Sequence, residues 1–306
     1  MVSPTPSVSG RAARSAAILG IALMAGGIFM FAVNDALGKW LVATYSVGQV
    51  LLIRSAAALV VLGPWIWRDA ASFRTAPRWG LQTVRAVLAT VEVGCFYWAV
   101  AYMPLADVMT YYLAGPIFVT AIAGSVLREP VGWRRWAAVL VGFGGVVVAL
   151  RPGGATLGWP ALIALAGSFT FSLSMIATRY LRGTSDTVLV TTQTVGALAF
   201  GVVLAPIGWV TPTTGDLALL ALLGIVAMVA HMCVNRSLIL APASIVVPYQ
   251  YTTIVWAVLF GYLVFGDIPD AAMLIGATII IAAGLFILLR EQRLARRTPS
   301  FSEPPP

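Results

Sequence analysis

Charged side chains are scarce in this chain. They make up 10% of its 306 residues, whereas hydrophobic side chains make up 60%. A soluble domain carries about 25% charged residues, and much of any folded surface must face water. The composition therefore excludes an ordinary soluble domain and predicts an all-α integral membrane protein, whose solvent is lipid.

Cysteine and histidine are nearly absent as well. Cys95 and Cys233 each lie inside an apolar run without metal-ligand spacing, and His231 is the only histidine. These residues predict no metal site. The chain also lacks a GxxxxGK[ST] loop, so we expect no cofactor and no direct use of ATP.

Basic residues exceed acidic ones, which gives a formal net charge of +8. The arginines stand singly between apolar runs instead of clustering on one domain. This distribution excludes a nucleic-acid partner. It is typical of a membrane protein, in which basic residues set the topology.

Apolar stretches long enough to cross a bilayer fill most of the chain. About 20 mostly apolar residues are needed to span a hydrocarbon core of about 30 Å. Ten spans are predicted, at residues 16–41, 49–67, 80–102, 104–127, 133–150, 158–181, 186–207, 216–240, 242–265 and 271–290. Glycines in the fifth and tenth spans predict close helix packing there: Gly142, Gly144, Gly145, Gly276 and Gly284.

The arginines also predict the orientation of the spans. With the N-terminus inside, the cytoplasmic segments hold thirteen of them: Arg11, Arg14, Arg68, Arg74, Arg78, Arg128, Arg134, Arg135, Arg182, Arg290, Arg293, Arg296 and Arg297. The external loops hold only Arg151. This asymmetry predicts a bacterial inner-membrane protein with both termini in the cytoplasm.

The two halves of the chain resemble each other at a nearly constant offset. An offset of 138 residues relates four pairs: Cys95 and Cys233, Pro104 and Pro242, Tyr111 and Tyr249, Glu129 and Asp267. Each half has five predicted spans, so the second copy must enter the membrane in the opposite sense. Inverted repeats of this kind are typical of secondary transporters. The predicted division is a tail at 1–15, repeats at 16–150 and 156–290, and a tail at 291–306.

Ionisable groups inside spans are costly, so they are candidate functional residues. Asp35 and Lys39 lie four residues apart, on one helix face, where they could pair. With Arg54 and Asp107 they predict an ion-pair gate at the outer side; the alternative is a static network, or snorkelling of Lys39 to the interface. Arg179 and Arg236 predict a corresponding cationic cluster at the inner side.

Glu92 lies near the middle of the third span. A carboxylate at that depth is either protonated or paired with a cation. We interpret Glu92 as a proton carrier or substrate contact, with His231 or Arg236 as its partner. The alternative is a purely structural hydrogen bond between helices.

Aromatic and amide side chains away from the span ends predict a substrate pocket. The candidate substrate-binding residues are Glu92, Tyr97, Trp98, Tyr111, Tyr112, His231, Asn235, Tyr249 and Gln250. Aromatic walls with a few polar groups suit a flat heteroaromatic ligand. Ordinary helix packing remains an alternative for each of these residues.

Several motifs resemble the EamA-type family of the drug/metabolite transporter superfamily over residues 16–290. They are Asn34-Asp35 with Lys39-Trp40-Leu41, Ile53-Arg54-Ser55, Met103-Pro104-Leu105-Ala106, Glu129-Pro130, Ala241-Pro242-Ala243-Ser244 and Gly266-Asp267. The resemblance implies ten spans, cytoplasmic termini and secondary transport of a small metabolite. The first-span motif resembles the S-adenosylmethionine-uptake branch, and riboflavin importers are a second similar branch.

Cations outnumber acids within the predicted spans. That balance disfavours a sulfonium cargo, so we expect riboflavin uptake, with S-adenosylmethionine uptake or metabolite export as alternatives. A membrane-embedded enzyme would need a polar catalytic loop and a channel would need a ring of polar residues, and neither is visible in the sequence. The expected partners are the small-molecule substrate and the lipid bilayer, and a homodimer is compatible with the sequence.

Overall fold

The structure, a computed structural model, describes residues 8–126, 133–150, 158–181, 183–240 and 246–297. Every regular element in these ranges is helical. The α-helices are α1 (Val8–Val42), α2 (Val47–Arg68), α3 (Ala70–Thr75), α4 (Trp79–Val100), α5 (Leu105–Tyr112), α6 (Gly115–Val126), α7 (Trp133–Leu150), α8 (Trp159–Tyr180), α9 (Asp186–Leu204), α10 (Thr214–Leu240), α11 (Thr253–Phe265) and α12 (Ala271–Arg297). A 3₁₀ helix, Val247–Thr252, precedes α11.

Six of the described helices are long and apolar enough to cross a bilayer. They are Ile18–Val42, Val47–Arg68, Trp79–Val100, Trp159–Thr178, Asp186–Leu204 and Thr214–Ser237. Four shorter apolar helical segments accompany them: Leu105–Val119, Trp136–Ala149, Tyr249–Phe265 and Ala271–Phe286. The all-helical architecture of a membrane protein, predicted from composition, is confirmed.

The predicted span at 104–127 is not one continuous helix. The chain turns at Leu113 and Ala114, between α5 and α6. Pro116 explains the break, because it has no N–H to donate to the carbonyl oxygen of Tyr112. The prediction of a regular span at 242–265 is corrected in a similar way, since its described part begins as a 3₁₀ helix at Val247. Pro242 and Glu129 lie outside the described residues.

The most extensive helix contacts join the first half of the chain to the second half. Helix α1 packs along α10, and α8 packs along α4. Helix α2 packs against α9, and α7 packs against α12. In the two halves, α1 corresponds to α8, α2 to α9, α4 to α10 and α7 to α12. Replacing each helix by its counterpart gives the same set of contacts.

Glycines allow two of these helix pairs to approach closely. A Cβ atom on Gly201 of α9 would lie 2.5 Å from the backbone nitrogen of Leu52 on α2. A Cβ atom on Gly276 of α12 would lie 2.7 Å from the carbonyl oxygen of Gly145 on α7. Among the predicted packing glycines, Gly144 has no described atom this close. Small residues thus set the spacing between the halves, as expected where lipid supplies little hydrophobic driving force between helices.

Candidate functional site

A buried contact between Arg54 and Tyr97 lies at the centre of the bundle. Nη1 of Arg54, on α2, donates a hydrogen bond of 2.6 Å to the hydroxyl oxygen of Tyr97 on α4. The guanidinium carbon lies 5.3 Å from the centroid of the same ring. Tyr97 is only 1% exposed, and its ring fills the space beside Gly38 on α1, where a Cβ atom would collide with it. The contact is therefore held by three helices.

Two carboxylates lie within electrostatic range of this arginine. Asp35 comes from α1 and Glu92 from α4, and both are half-buried. The hydroxyl group of Tyr112 donates to the backbone carbonyl oxygen of Glu92 at 3.1 Å. We call Asp35, Arg54, Glu92, Tyr97 and Tyr112 the central polar cluster.

A cavity of about 50 Å³ adjoins the central polar cluster. Helices α2 and α4 of the first half and α9 and α10 of the second half line it, with Arg54, Gln193, Thr194 and His231 as its main polar residues. A volume of this size holds a few water molecules but not a metabolite. The helices must therefore move before an organic molecule can enter.

His231 forms part of the cavity wall. Its Nδ1 lies 2.8 Å from the carbonyl oxygen of Ala227, and its ring meets Phe31 edge-on at a centroid distance of 4.7 Å. The imidazole is thus oriented by α10 itself and by α1. The structure brings His231 near Arg54.

The bundle is closed at the end where α1 finishes and α2 begins, which we call the Lys39 end. Lys39 forms an ion pair with Asp267 at 2.6 Å and lies 4.4 Å from the ring centroid of Phe265. The hydroxyl group of Tyr45 donates to Asp216 at 2.6 Å. Gln49 exchanges two hydrogen bonds with the backbone of Val210, at 2.5 and 3.1 Å. Each contact joins the first half of the chain to the second.

Different contacts close the opposite end, where α2 finishes and α9 begins, which we call the Asp69 end. The hydroxyl groups of Ser185 and Ser72 both donate to the carboxylate of Asp69. These donors, Ser185 foremost, hold the pKa of Asp69 below its usual range. Nη1 of Arg78 donates to the carbonyl oxygen of Tyr180 at 3.5 Å. Ser185 and Tyr180 lie in the second half, so this end is also closed by contacts between the halves.

The structure gathers some of the predicted site residues and leaves others apart. The central polar cluster contains five of them, and His231 lies on the cavity wall. Trp98 is 49% exposed, because adjacent helical residues point about 100° apart and Tyr97 takes the inward direction. Tyr249 and Arg236 are also exposed, whereas Asn235 and Gln250 are half-buried and Tyr111 is buried.

The predicted gate residues do not form one group. Lys39 pairs with Asp267 and not with Asp35, which faces Arg54 instead. Arg236 lies within electrostatic range of Asp186, near the Asp69 end. Asp107 is half-buried at the start of α5. The side chain of Arg179 lies outside the described part of the chain.

Asp267 is a residue that sequence reasoning did not place at the site. Its signal was the 138-residue offset that relates it to Glu129. The offset marks repeat-equivalent positions but does not show which residues touch across the repeats. Contact with Lys39 becomes visible only once the ends of α1 and α11 lie side by side.

Comparison with known proteins gives consistent results over both halves. The EamA-like transporter family matches residues 18–151 and, a second time, residues 158–289. A riboflavin transporter of Vibrio cholerae is 29% identical over 253 residues, which are 81% of this chain and 85% of that protein. A riboflavin transporter of Rhizobium johnstonii is 31% identical over 230 residues, 74% of this chain and 76% of that protein.

Two further similarities extend the comparison. An S-adenosylmethionine uptake transporter of Rickettsia felis is 25% identical over 268 residues, 86% of this chain and 90% of that protein. One crystal structure of a protein superposes with a TM-score of 0.57 at 15% identity, covering 92% of this chain and 99% of that chain. At that identity the likeness concerns the fold alone.

Proposed function

Because the chain belongs to the EamA-like transporter family, and is therefore a membrane transport protein and not an enzyme, we propose that it carries riboflavin into the cell by secondary transport. The observation that carries this proposal is the central polar cluster. It combines aromatic and ionisable side chains at the contact between the two halves, which is where inverted-repeat carriers bind their cargo.

The proposed topology has ten spans and two cytoplasmic termini. The six long helices and four shorter apolar segments support a count of ten. In this topology the Lys39 end is periplasmic and the Asp69 end is cytoplasmic. The excess of arginine in the segments assigned to the cytoplasm supports that orientation.

The aromatic character of the cluster supports a flat cargo. Phe96 meets Tyr97 and Tyr112 edge-on, at centroid distances of 5.5 and 5.6 Å. Such a group can rearrange to stack on a fused heteroaromatic ring, and Arg54 and Gln193 can donate hydrogen bonds to ring carbonyls. The two relatives named riboflavin transporters support the same cargo.

The charge balance around the cavity favours S-adenosylmethionine as the second candidate. Across the predicted spans the cations outnumber the acids, but Lys39 is neutralised by Asp267 at one end of the bundle. Around Arg54 there are two carboxylates, Asp35 and Glu92. A sulfonium cation could be balanced by the second carboxylate.

Both ends of the bundle are closed around a cavity too small for a metabolite, so each transport step requires one end to open. We assign Lys39 and Asp267 to the periplasmic gate. Glu92 is the proposed proton carrier. A carboxylate at that depth with a nearby arginine can alternate between a protonated, neutral form and an ionised form paired with the arginine.

Uptake into cells that lack their own carrier tests the proposal. Labelled riboflavin should accumulate, and labelled S-adenosylmethionine should not; the reverse result would establish the second candidate. Tyr97→Phe removes the hydroxyl group that Arg54 contacts, and we expect it to lower riboflavin uptake about tenfold. Tyr262→Phe is the matched control, because Tyr262 is 59% exposed on α11.

Glu92→Gln tests the coupling step in the same cells. In the wild type, a protonophore should lower riboflavin accumulation. Glu92→Gln should lack this protonophore-sensitive part of the accumulation. If Glu92→Gln cells kept the full protonophore-sensitive accumulation, Glu92 would not be the proton carrier. Export would be indicated if cells preloaded with riboflavin lost it faster when they contain the protein.

A further inference from the structure

Arg85 is a buried cation on α4 that lies apart from the central polar cluster. It is 4% exposed. Among the described residues the only ion pair is that of Lys39 with Asp267, so no described carboxylate neutralises Arg85. A buried and uncompensated charge is expensive, which makes its surroundings informative.

Within the described ranges, the acceptors of the guanidinium group are all neutral and all on α9. Its acceptors are the carbonyl oxygen of Leu189, the hydroxyl oxygen of Thr192 at 3.1 Å and the amide oxygen of Gln193 at 3.4 Å. Helix α4 belongs to the first half and α9 to the second. Arg85 therefore ties the halves together between the cavity, which Gln193 lines, and the Asp69 end.

Two buried polar atoms in this region have no described hydrogen-bond partner. One is Nε of Arg85, and the other is Oε1 of Gln82, one turn earlier on α4. The donor capacity of the guanidinium is thus incompletely used. Hydrogen bonds to an ionised acceptor are roughly twice as strong as those to a neutral acceptor, so an entering anion would compete successfully with the acceptors on α9.

We propose that Arg85 binds an anionic group of the transported molecule, a phosphate ester or a carboxylate, and that this binding releases the contact between α4 and α9. The proposal rests on the proposed function, because it assumes that the central cavity receives the cargo. It extends the cargo class from riboflavin to anionic flavins. It also gives the Asp69 end a chemical trigger that the Lys39 end does not have.

Binding to the purified full-length protein tests the recognition step. We expect riboflavin 5′-phosphate to bind about tenfold more tightly than riboflavin, and Arg85→Gln to remove that ratio. The same comparison for a carboxylate uses S-adenosylmethionine, which has the carboxylate, and its decarboxylated form, which lacks it. Arg68→Gln is the matched control, because Arg68 is exposed at the end of α2, and it should keep the ratio. The proposal would be overturned if the wild type bound the anionic and the non-anionic member of each pair equally tightly. It would also be overturned if Arg85→Gln changed the affinity for both flavins by the same factor.

A thiol reporter tests the release step without changing Arg85. Val188 is fully buried near the Asp69 end, so a cysteine there should react with a water-soluble reagent only when that end opens. Riboflavin 5′-phosphate should speed the reaction more than riboflavin does, and equal rates would contradict the proposal.

If neither flavin nor S-adenosylmethionine bound, the proposed cargo would be wrong, and inorganic phosphate alone would then decide the role of Arg85. Phosphate should speed labelling at Val188 relative to chloride at the same ionic strength. No difference would overturn the anion site itself.

Discussion

The Lys39 end and the Asp69 end of the bundle are both closed, but by different chemistry. The Lys39 end has an ion pair between Lys39 and Asp267 and a crossing of α2 and α9 so close that a Cβ atom on Gly201 would collide with the backbone of Leu52. At the Asp69 end hydroxyl groups donate to one carboxylate, and the acceptors of Arg85 in the described part of the chain are neutral. A charged pair at one end and hydrogen bonds from hydroxyl groups at the other should respond to different substitutions.

Two buried valines report on the two ends independently. Val50 near the Lys39 end and Val188 near the Asp69 end are both fully buried, and they are separated by the repeat offset of 138 residues (188 − 50). Single cysteines at these positions, with Cys95 and Cys233 replaced by alanine, give one labelling rate for each end.

Gly201→Ala should have the largest effect, because it breaks the close crossing at the Lys39 end. The added methyl group would lie 2.5 Å from the backbone nitrogen of Leu52, and backbone cannot move aside as a side chain can. We expect a loss of about 1–3 kcal/mol in the free energy of unfolding, measured by thermal denaturation in detergent, and faster labelling at Val50.

Gly63→Ala is the control for that prediction, because a Cβ atom on Gly63 has no described atom within 4 Å. It should keep wild-type stability and labelling. Because alanine favours a helix more than glycine does, equal destabilisation by the two variants would show that the close crossing is not what governs the result.

Breaking the ion pair should have a smaller effect. The side chains of Lys39 and Asp267 are 14% and 24% exposed, so water screens the pair only in part. A double-mutant cycle with Lys39→Gln and Asp267→Asn should give a coupling energy on the order of 1 kcal/mol. Labelling should accelerate at Val50 and stay constant at Val188. A coupling energy of zero would remove this pair from the gate.

The smallest expected effect is that of pH on the opening of the Asp69 end. Because the hydroxyl donors lower the pKa of Asp69, the contact is complete above the usual carboxyl pKa of about 3.9 and is lost only as pH falls through the lowered value. The labelling rate of a cysteine in place of Val188, divided at each pH by the rate of a free thiol with the same reagent to remove the pH dependence of the thiolate fraction, should therefore be constant between about pH 5 and 8.

Ser185→Ala removes the principal donor and should speed labelling at Val188 at every pH in this range. Thr75→Ala serves as its control, because Thr75 is exposed at the end of α3. A steep change of this corrected rate near neutral pH, with Ser185 intact, would show that another group controls this end.

The all-helical membrane architecture, the repeat and most members of the central polar cluster could be predicted from the sequence, because apolar length and buried charge leave clear signals. The side of each helix that faces the interior of the bundle could not be predicted. In a soluble helix the polar face reveals which residues point outward, but lipid accepts the same apolar residues as the interior. For that reason Tyr97 and Trp98 looked equivalent in sequence, although one is buried and the other faces outward.

The ion-pair partner of Lys39 could not be predicted from the sequence for a related reason. Helical periodicity reports neighbours within one helix, so it pointed to Asp35. The observed partner, Asp267, is 228 residues away. The break at Pro116 was readable in principle, since the missing N–H of proline is a local property, but a continuous apolar run concealed it.

The pairing of helices across the halves has a consequence for biosynthesis. Helices α1, α2, α4 and α7 each find their most extensive contacts on a helix that the ribosome makes later. These helices therefore enter the bilayer before their partners exist, and Arg54, Glu92 and Arg85 are inserted without the completed bundle around them. We expect the first half expressed alone to be degraded, and the two halves expressed as separate chains to rescue each other by assembling in the membrane.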